Sequence, residues 1–310
     1  MNTAPILSLC LPTNGVVEWV FPVLDSIFAQ DADIREFEVV VTDNGSNQEF
    51  KKIMTERYVS RYSNLVYEET DAPLFLNEIE AYKRARGQLI KFVNHRTRLV
   101  AGAVEKLIGF ARENLEKKPI VYFSNGVIED LEHTRLVYPD FDCFVKNLSY
   151  WSSWSTGMTF WKSDFDRLPE DTVFNYLFPH TTILFQVRDR DTYIIDNTVI
   201  MDEIPAGNKP KGKYDLFYAF AVEYPGLLLD LLRSEDITPD TFRFFKQANL
   251  DFLARQYYYH VIRKAPCSYD LSTYDTNIRV FYSRWQINKA LVPIISEDAV
   301  KKLRKIFGLR

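Results

Sequence analysis

Two apolar runs that end abruptly in small, turn-forming residues constrain the fold of this chain more than any other feature. The first is Ile6–Thr13 and the second is Phe37–Ser46. Between them Val20, Leu24 and Ile27 recur at helical spacing, so the stretch predicts a strand–helix–strand unit of about 40 residues. Ligands of open α/β sheets bind at the carboxyl ends of the strands. We therefore expect the polar residues that follow the two runs to belong to a binding site.

The alternation of short apolar runs with helical patterns continues beyond this unit. The strand candidates are Ile6–Leu11, Phe37–Thr42, Leu65–Glu68, Leu89–Val93 and Ile120–Ser124. Helix formers fill Leu76–Arg86, and an apolar stripe marks a further helix from Val104 to Leu115. Such alternation predicts a Rossmann-like α/β fold, in which a mostly parallel sheet is flanked by helices.

The pattern changes after Asn125, and this change sets the expected domain organisation. Leu131–Trp161 is aromatic and polar without helical periodicity, so we expect loops and irregular strands there. Thr192–Glu203 predicts one or two further strands, and the basic stretch 206–213 predicts a loop. Helical patterns dominate from residue 214 onward. We therefore predict an α/β domain over residues 1–205 and an α-helical C-terminal extension over residues 214–310.

Charge and cysteine content narrow the class of protein. The net charge of −4 gives no reason to expect nucleic acid as a partner. The three cysteines lie far apart without metal-ligand spacing, and Cys10 falls inside a predicted buried strand, which favours a reducing compartment. No run of about 18 apolar residues is present, and no signal peptide precedes the first strand. We therefore expect a cytoplasmic protein that is at most peripheral to the inner face of the plasma membrane.

The ends of the first two strands carry groups that can hold a nucleotide. Neither a G-x-G-x-x-G sequence nor a P-loop is present, so dinucleotide dehydrogenases and P-loop kinases have no support. Asp43 can instead accept a hydrogen bond from the N3–H of a uracil, while Pro12 and Thr13 offer a wall and backbone groups for the base and ribose. The alternative is that both motifs are only turns. Their occurrence together at two neighbouring strand ends favours a nucleotide site.

These motifs carry a resemblance to a known family. The Pro12-Thr13 loop, the Asp43-Asn44-Gly45-Ser46 turn, the Ala85-Arg86-Gly87 helix end and the strand Leu89–Val93 resemble family-2 glycosyltransferases, over residues 5 to 205. The resemblance implies a GT-A fold and a donor site that contains Pro12, Thr13, Asn14, Asp43, Asn44 and Gly45, with Asn94 and His95 at the donor diphosphate.

The reaction that this resemblance implies is the transfer of a sugar from a nucleoside diphosphate, most simply UDP, with inversion at the anomeric carbon. The acceptor would be a growing bacterial surface glycan, such as an O-antigen or capsule unit, free or lipid-linked. The alternative is a non-catalytic nucleotide-sugar or glycan-binding protein derived from the same fold.

The sequence departs from the family where the fourth strand should run into an Asp-x-Asp motif that holds a divalent metal. The matching positions are Asn94-His95-Arg96, which contain no carboxylate. Mg²⁺ and Mn²⁺ prefer carboxylate oxygens, whereas a guanidinium binds phosphate oxygens directly. We hypothesise that Arg96 and His95, with Arg98 as a further candidate, replace the metal, so that no cofactor is needed. A metal held by other residues and a loss of activity are the alternatives.

An Asp-x-Asp sequence does occur far downstream of the expected position, at Asp189-Arg190-Asp191. It directly precedes the predicted strand that begins at Thr192. We interpret it as a surface turn.

The catalytic base is the least determined part of the predicted site. Ser155-Thr156-Gly157-Met158 resembles a glycine-rich segment of the family, which is followed by a Glu-Asp pair whose Asp is the usual base. At the matching distance lies Phe178–Thr182, so His180 is our candidate for the base or for orienting the acceptor. A satisfied core histidine is the alternative. The rival carboxylates are Asp164, Asp166, Glu170 and Asp171, and the sequence does not decide among them.

Aromatic residues precede this segment. Trp151 and Trp154 are candidates for the acceptor site because aromatic faces stack on the C–H faces of sugars, although tryptophans also simply pack.

The C-terminus predicts a basic amphipathic helix capped by Ser296. Its apolar side contains Val300, Leu303, Ile306 and Phe307, and its cations are Lys301, Lys302, Arg304, Lys305 and Arg310. Such a helix can lie on anionic lipid, which would suit a lipid-linked glycan acceptor. The alternative is a helix that packs on the protein and exposes a solvated face.

Overall fold

The computed structural model describes residues 4–129, 133–205 and 212–306. The chain divides into two compact units, residues 1–205 and 206–310. The basic stretch predicted as a loop lies outside the described residues from 206 to 211.

The first unit contains all the strands of the described chain. They are β1 Leu7–Thr13, β2 Phe37–Asp43, β3 Leu65–Glu69, β4 Leu89–Phe92, β5 Thr97–Leu99, β6 Ile120–Phe123, β7 Arg135–Tyr138, β8 Thr159–Trp161, β9 Tyr193–Asp196 and β10 Met201–Glu203. The helices are α1 Val17–Phe28, α2 Gln48–Ile53, α3 Asn77–Arg84, α4 Ala103–Asn114, α5 Phe141–Leu148, α6 Lys162–Phe165 and α7 Pro179–Gln186. A π-helical stretch, Met54–Val59, continues α2, and 3-10 turns span Leu74–Leu76, Ser149–Ser153 and Ser155–Gly157.

The main sheet has five strands in the order β3-β2-β1-β4-β8. The first four are parallel, and β8 runs antiparallel to β4. In the β1–β2 register, Thr13 lies opposite Asp43, so the two turn motifs emerge side by side at one edge. The predicted fold class, a mostly parallel sheet flanked by helices with a helical C-terminal region, is confirmed.

The core explains why the first strands are continuous apolar runs. Leu9 of β1 and Val39 of β2 are fully buried, and α1 covers them with Val20, Leu24 and Ile27, which are fully buried as well. Parallel strands are covered on both faces, so both side-chain rows must be apolar. Each such side chain contributes about 1.5–3 kcal/mol by leaving water.

Two features of the sheets differ from the sequence prediction. Ile120–Phe123, predicted as the fifth strand of the alternating series, belongs to a separate three-stranded sheet of order β6-β9-β7. The fifth place in the main sheet is taken by β8, a three-residue strand inside the region predicted as loops and irregular strands. A run of three residues is too short to show a period, and its partner β4 lies about 70 positions earlier, so the sequence pattern carried no sign of this pairing.

The prediction of no helix in Leu131–Trp161 was wrong at α5. Phe141, Phe144, Val145 and Leu148 are buried at the spacing of one helix face, and the Asp140 carboxylate caps the helix by accepting from the Cys143 N–H at 2.7 Å. The helix is only eight residues long, and the aromatic and polar residues on both sides of it led to the prediction of loops and irregular strands.

The second unit is helical. Its helices are α8 Leu216–Tyr218, α9 Tyr224–Arg233, α10 Pro239–Gln256, α11 Tyr274–Ile278 and α12 Arg284–Ile306, with π-helical stretches at Ala219–Glu223 and Tyr257–Ile262. The local sequence sets the start of α10, because Thr238 Oγ1 accepts from the Thr241 N–H and Pro239 occupies the first turn.

The predicted cap at Ser296 is wrong. The helix α12 runs unbroken from Arg284 through Pro293, and the Ser296 hydroxyl donates to the Val292 carbonyl one turn earlier. Phe307 and Arg310, which we assigned to this helix, lie outside the described residues. Within residues 4–129, 133–205 and 212–306, no helix has the length and apolar character needed to cross a membrane.

Candidate active site

The site begins where β1 and β2 end. The Asn44 N–H donates to the Thr13 carbonyl at 3.0 Å, so the Pro12–Asn14 loop and the Asp43–Ser46 turn are in direct contact. The contact requires glycine at position 45, because a Cβ there would lie 2.1 Å from the Asn14 carbonyl oxygen. The two predicted donor-binding motifs therefore form one continuous surface.

Asp43 is the buried carboxylate of this surface. Its Oδ1 accepts from the Gly45 N–H at 2.8 Å, and its Oδ2 accepts from the Tyr67 hydroxyl at 3.2 Å. Burial raises the pKa of Asp43, and these two hydrogen bonds and Lys51 oppose the rise. Each carboxylate oxygen keeps a second lone pair, so Asp43 can still accept from a ligand N–H.

Asn77, which the sequence patterns did not indicate, stabilises the strand ends that form the site. Asn77, the first residue of α3, is buried and donates through Nδ2 to the Thr13 and Thr42 carbonyls at 3.1 and 2.9 Å. Its Oδ1 accepts from the Thr70 hydroxyl at 2.8 Å. Asn77 therefore joins the carboxyl ends of β1 and β2 to the start of α3. Nothing in its local sequence marks it, because the two strand-end carbonyls that it binds are distant in the chain.

His95 lies against the same strand end. Its Nδ1 is 3.0 Å from Thr13 Oγ1, and its ring packs on Trp19 with the centroids 5.3 Å apart. Burial, with a smaller contribution from the Arg96 guanidinium, lowers the pKa of His95 to about 4. At neutral pH His95 is therefore uncharged, and it can offer the donor a hydrogen bond but no positive charge.

Arg96 is held at the two-stranded antiparallel sheet formed by β5 and β10. Its guanidinium donates to Glu203 Oε1 at 2.9 Å and to the Ile204 carbonyl at 3.1 Å, and it lies 5.8 Å from the Trp19 ring centroid. The Glu203 side chain is 59% exposed, so the ion pair is screened by water and weak. An anionic ligand can therefore compete with Glu203 for the guanidinium. Arg98, the further candidate, is exposed on β5.

The residues at the Asp-x-Asp position do not fit a divalent metal. Asn94 Oδ1 accepts from the Arg96 N–H at 3.0 Å, His95 is engaged with Thr13, and Arg96 has no lone pair to offer. Across the part of the chain that the structure describes, no group of three or more His, Cys, Asp or Glu side chains could hold a metal ion. Metal independence itself stays a prediction.

The downstream Asp-x-Asp sequence belongs to a structural ion pair. Arg190, its central residue, bonds to the buried carboxylate of Asp164 and donates to the Lys118 carbonyl at 3.1 Å. Asp164 also accepts from Arg167, so this rival for the base is already paired twice.

His180 occupies a buried position in α7. Its Nε2 is 3.0 Å from the Ser153 carbonyl and its Nδ1 is 3.2 Å from Glu78 Oε2. A carbonyl only accepts, so Nε2 carries a hydrogen and Nδ1 faces the carboxylate. Both ring nitrogens are engaged, which is the satisfied core histidine that the sequence left open. The role of His180 as base stays a prediction that this geometry does not favour.

The remaining rival carboxylates lie at the surface. Asp166 pairs at 2.5 Å with Lys162 in the preceding helical turn, and Glu170 and Asp171 are exposed.

Trp151 and Trp154 lie half-buried on the segment that His180 contacts. Their rings are 5.8 Å apart in an edge-on arrangement, and Tyr150 stacks beside Trp151 at 4.9 Å. Contacts connect this aromatic group to the strand ends, because His180 binds Glu78, and Glu78 follows Asn77 in α3. A series of contacts through His180, Glu78 and Asn77 thus links the aromatic group to the end of β1.

Comparisons with known proteins place the fold. The Staphylococcus aureus TarS structure of residues 1–349 aligns with a TM-score of 0.53 and 14% identity, over 92% of this chain and 81% of that one. The same segment in complex with UDP-GlcNAc aligns with a TM-score of 0.52 and 15% identity, over 84% and 76%. These neighbours are GT-A glycosyltransferases, and the predicted GT-A-type fold is confirmed.

The similarity is limited to part of the longer relative. Against the longer TarS structure, with 16% identity and a TM-score of 0.52, the match covers 81% of this chain but 43% of TarS. No protein-family model matches the chain, and no curated protein sequence matches it.

Proposed function

We propose that this chain is a glycosyltransferase that moves a hexosyl or related sugar from a nucleoside diphosphate, most simply UDP, to a glycan. The observation that carries the proposal is the contact between the Pro12–Asn14 loop and the Asp43–Ser46 turn at the adjoining ends of β1 and β2. It is supported by a fold shared with TarS, which has been crystallised with UDP-GlcNAc and with UDP.

Donor binding follows from the chemistry of these loops. The Asp43 carboxylate accepts from the uracil N3–H, Pro12 and Thr13 form the wall beside the base, and the polar groups of Asn14, Asn44 and Gly45 face the ribose. Because Asp43 is fixed by Gly45 and Tyr67, its acceptor is oriented before the nucleotide arrives.

The reaction is a displacement at the anomeric carbon. The acceptor hydroxyl oxygen forms a bond to that carbon, the bond to the β-phosphate oxygen breaks, and UDP leaves with the electron pair, which inverts the configuration. We propose that Arg96 exchanges Glu203 for the diphosphate and neutralises its charge, with His95 and Asn94 as neutral hydrogen-bond partners. The acceptor proton passes to a base. For His180 to be that base, Nε2 would have to leave the Ser153 carbonyl and its hydrogen would have to move to Nδ1, which faces Glu78, so that Nε2 offers a lone pair to the acceptor hydroxyl.

The acceptor in this proposal is a bacterial surface glycan that stacks on Trp151 or Trp154. Synthesis at the inner face of the plasma membrane would fit a peripheral contact through α12, whose Val300 and Leu303 are exposed beside Lys301, Lys302 and Arg304.

A second candidate is a nucleotide-sugar or glycan-binding protein without turnover. Two observations favour it: the metal-binding carboxylates are replaced by Asn94–Arg96, and both ring nitrogens of His180 are engaged. This candidate predicts that UDP binds and that no donor is consumed.

The deciding experiment measures binding and hydrolysis of UDP-, GDP- and dTDP-sugars by wild type and Arg96→Ala, each with EDTA and with Mn²⁺. Donor turnover that survives EDTA but collapses in Arg96→Ala supports a metal-free transferase. Activity that vanishes on chelation and returns with Mn²⁺ contradicts the metal-free mechanism. Binding without turnover in a panel that includes glycan acceptors supports the second candidate, and the absence of any nucleotide-sugar binding overturns both.

A further inference from the structure

The segment from Ser149 to Met158, called here the aromatic segment, has no long regular element and contains two short 3-10 turns joined by irregular backbone. Every one of its backbone carbonyls accepts a hydrogen bond, some from within the segment and others from outside it. Irregular backbone usually leaves such groups to water. Here buried side chains of three other elements contact the carbonyls of residues 151–154, 156 and 158.

The first anchor is Lys91 of β4, which is fully buried. Its Nζ donates to the Phe92 carbonyl at 2.9 Å, to the Met158 carbonyl at 3.3 Å and to the Thr156 carbonyl. Burial lowers the pKa of Lys91 to about 7. A buried ammonium costs stability that an aliphatic residue in a covered strand would not. What the lysine adds is a set of donors that bind both ends of the turn around Gly157.

The second anchor is Tyr122 of β6. Its hydroxyl lies 2.6 Å from both the Trp151 and the Trp154 carbonyls. Its ring occupies the place of a side chain at Gly157, where a Cβ would lie 2.1 Å from the ring. Gly157 is therefore glycine because Tyr122 must pass over it to reach the two tryptophan carbonyls.

The third anchor is the start of α7. Thr181 Oγ1 donates to the Ser152 carbonyl at 2.8 Å, and the adjacent His180 donates to the Ser153 carbonyl. Glu78 holds the other side of the imidazole at 3.2 Å, which fixes the ring in place. These hydrogen bonds hold the Ser152 and Ser153 carbonyls, which lie between Trp151 and Trp154.

We propose that the aromatic segment is a rigid platform for the acceptor sugar, and that Lys91, Tyr122, His180 and Thr181 are positioning residues that hold it by its carbonyls. With the carbonyls drawn inward, the half-buried rings of Tyr150, Trp151 and Trp154 form a fixed face. A face that is already ordered binds the C–H face of a sugar without the entropy cost of ordering a loop. The inference rests on the proposed function, and it gives His180 a positioning role in place of the base.

The test compares two Tyr→Phe substitutions that each remove one hydroxyl and keep the ring. Tyr122→Phe loses the bonds to the aromatic segment, while Tyr58→Phe loses a 2.6 Å hydrogen bond to Asp25 elsewhere in the first unit. The acceptor probe is p-nitrophenyl N-acetyl-β-glucosaminide, whose ring quenches tryptophan fluorescence, with p-nitrophenol as the blank. UDP binding is measured in parallel by calorimetry, and amide hydrogen exchange reports the mobility of residues 149–158.

Tyr122→Phe is expected to weaken binding of the glucosaminide about fivefold or more, the loss that one buried hydrogen bond produces. It should also speed exchange in the segment and leave UDP affinity within about twofold. Tyr58→Phe should change none of the three. Lys91→Met and His180→Phe should act as Tyr122→Phe does where they fold.

The inference is overturned if wild type binds UDP but does not bind the glucosaminide beyond the p-nitrophenol blank. Equal behaviour of the two tyrosine variants, or an unchanged glucosaminide affinity in a Trp151→Ala, Trp154→Ala double variant, also overturns it. Wild type that binds neither UDP nor any nucleotide sugar instead overturns the proposed function, so the two failures are distinguishable.

Discussion

Gly45 is the residue on which the contact between the two donor-binding loops depends. A methyl group at this position would meet the Asn14 carbonyl oxygen at 2.1 Å and Asp43 Oδ1 at 3.0 Å. Backbone cannot yield as a flexible side chain does, so Gly45→Ala must separate the turn from the loop. We expect it to lower UDP affinity at least about tenfold and to cost about 1–3 kcal/mol of unfolding free energy. Calorimetric titration and urea unfolding measure the two effects.

A matched glycine provides the control for this substitution. Gly109 lies inside α4, and a Cβ there would meet nothing within 4 Å. Gly109→Ala should therefore raise the unfolding free energy by about 0.5–1 kcal/mol, because alanine is the better helix former. UDP affinity should not change. If Gly45→Ala binds UDP as wild type does, the two loops do not form the donor site.

His95 predicts a dependence of stability on pH. Its pKa is about 4 in the folded protein, against an ordinary value of about 6.5 in the unfolded chain. Above pH 6.5 the imidazole is neutral in both states. Between pH 6.5 and 4 the unfolded chain binds a proton that the folded protein does not, so stability falls as the pH falls through this window, by up to about 3 kcal/mol. In His95→Gln this contribution should be absent.

The measurement is the unfolding free energy of wild type and His95→Gln from pH 9 to pH 4. The difference between the two proteins should be constant from pH 9 to 7, where His95 does not titrate in either state, and should shift against wild type below 6.5. A difference that stays constant to pH 4.5 would contradict the lowered pKa of His95.

At the scale of elements, the two-stranded β5–β10 sheet restrains the arginine proposed to bind the diphosphate. Glu203 on β10 lies opposite Thr97 on β5, and Arg96 directly precedes Thr97. The Arg96–Glu203 ion pair therefore lies at the end of this strand pair. Glu203→Gln removes the competing charge and should tighten UDP binding about two- to fivefold, the value of an exposed ion pair. Arg96→Ala should weaken it at least about tenfold.

Salt and a second ion pair check this interpretation. The gain in Glu203→Gln should shrink at high ionic strength, because an exposed ion pair is screened. Glu36→Gln breaks a comparable pair with Arg112 before the start of β2, at the end opposite the site, and should leave UDP affinity unchanged. If Glu203→Gln binds UDP more weakly than wild type, Glu203 supports the site and does not compete within it.

The elements that could be predicted are those whose pattern is local. β1 and β2 are covered on both faces and therefore appear as unbroken apolar runs, and their predicted bounds agree with the structure within two residues. β8 could not be predicted, because three residues show no period and its partner is remote. α5 could have been found, since Asp140 precedes buried residues at helical spacing.

The residues of the candidate site also divide into those with a local sequence pattern and those whose partners are remote in the chain. Pro12–Asn14 and Asp43–Gly45 are recognisable from the sequence because a turn depends on the residue types at consecutive positions. Asn77, Glu78 and Lys91 were missed because their contacts join strands and helices that are far apart in the chain. The role of His180 as base stays a prediction from its spacing, while its contacts with Glu78 and Ser153 are the basis for the positioning role proposed above.

At the scale of the whole molecule, the helical unit presents an apolar stripe on one side of α12. Ile287, Leu291 and Ile294 of this helix are buried in the core of the unit. Trp285, Val292 and Leu303 recur at multiples of about one helical turn on another side, and Trp285 is 69% exposed. Lys289 lies over the Trp285 ring at 5.3 Å, and Lys301, Lys302 and Arg304 follow near the end. Apolar side chains flanked by cations fit an anionic lipid surface.

We therefore expect the protein to sediment with vesicles that contain phosphatidylglycerol, to bind phosphatidylcholine vesicles much more weakly, and to be released by salt. Trp285→Ser combined with Leu303→Ser should abolish sedimentation, because both the interfacial aromatic ring and the apolar end of the stripe are lost. Val280→Ser removes an exposed apolar side chain outside α12 and serves as the control. Light scattering on the same variants distinguishes lipid binding through the stripe from self-association through it. If wild type binds neither vesicle type and the doubly substituted protein has a lower molar mass than wild type, the stripe joins copies of this chain and the proposed membrane contact is wrong.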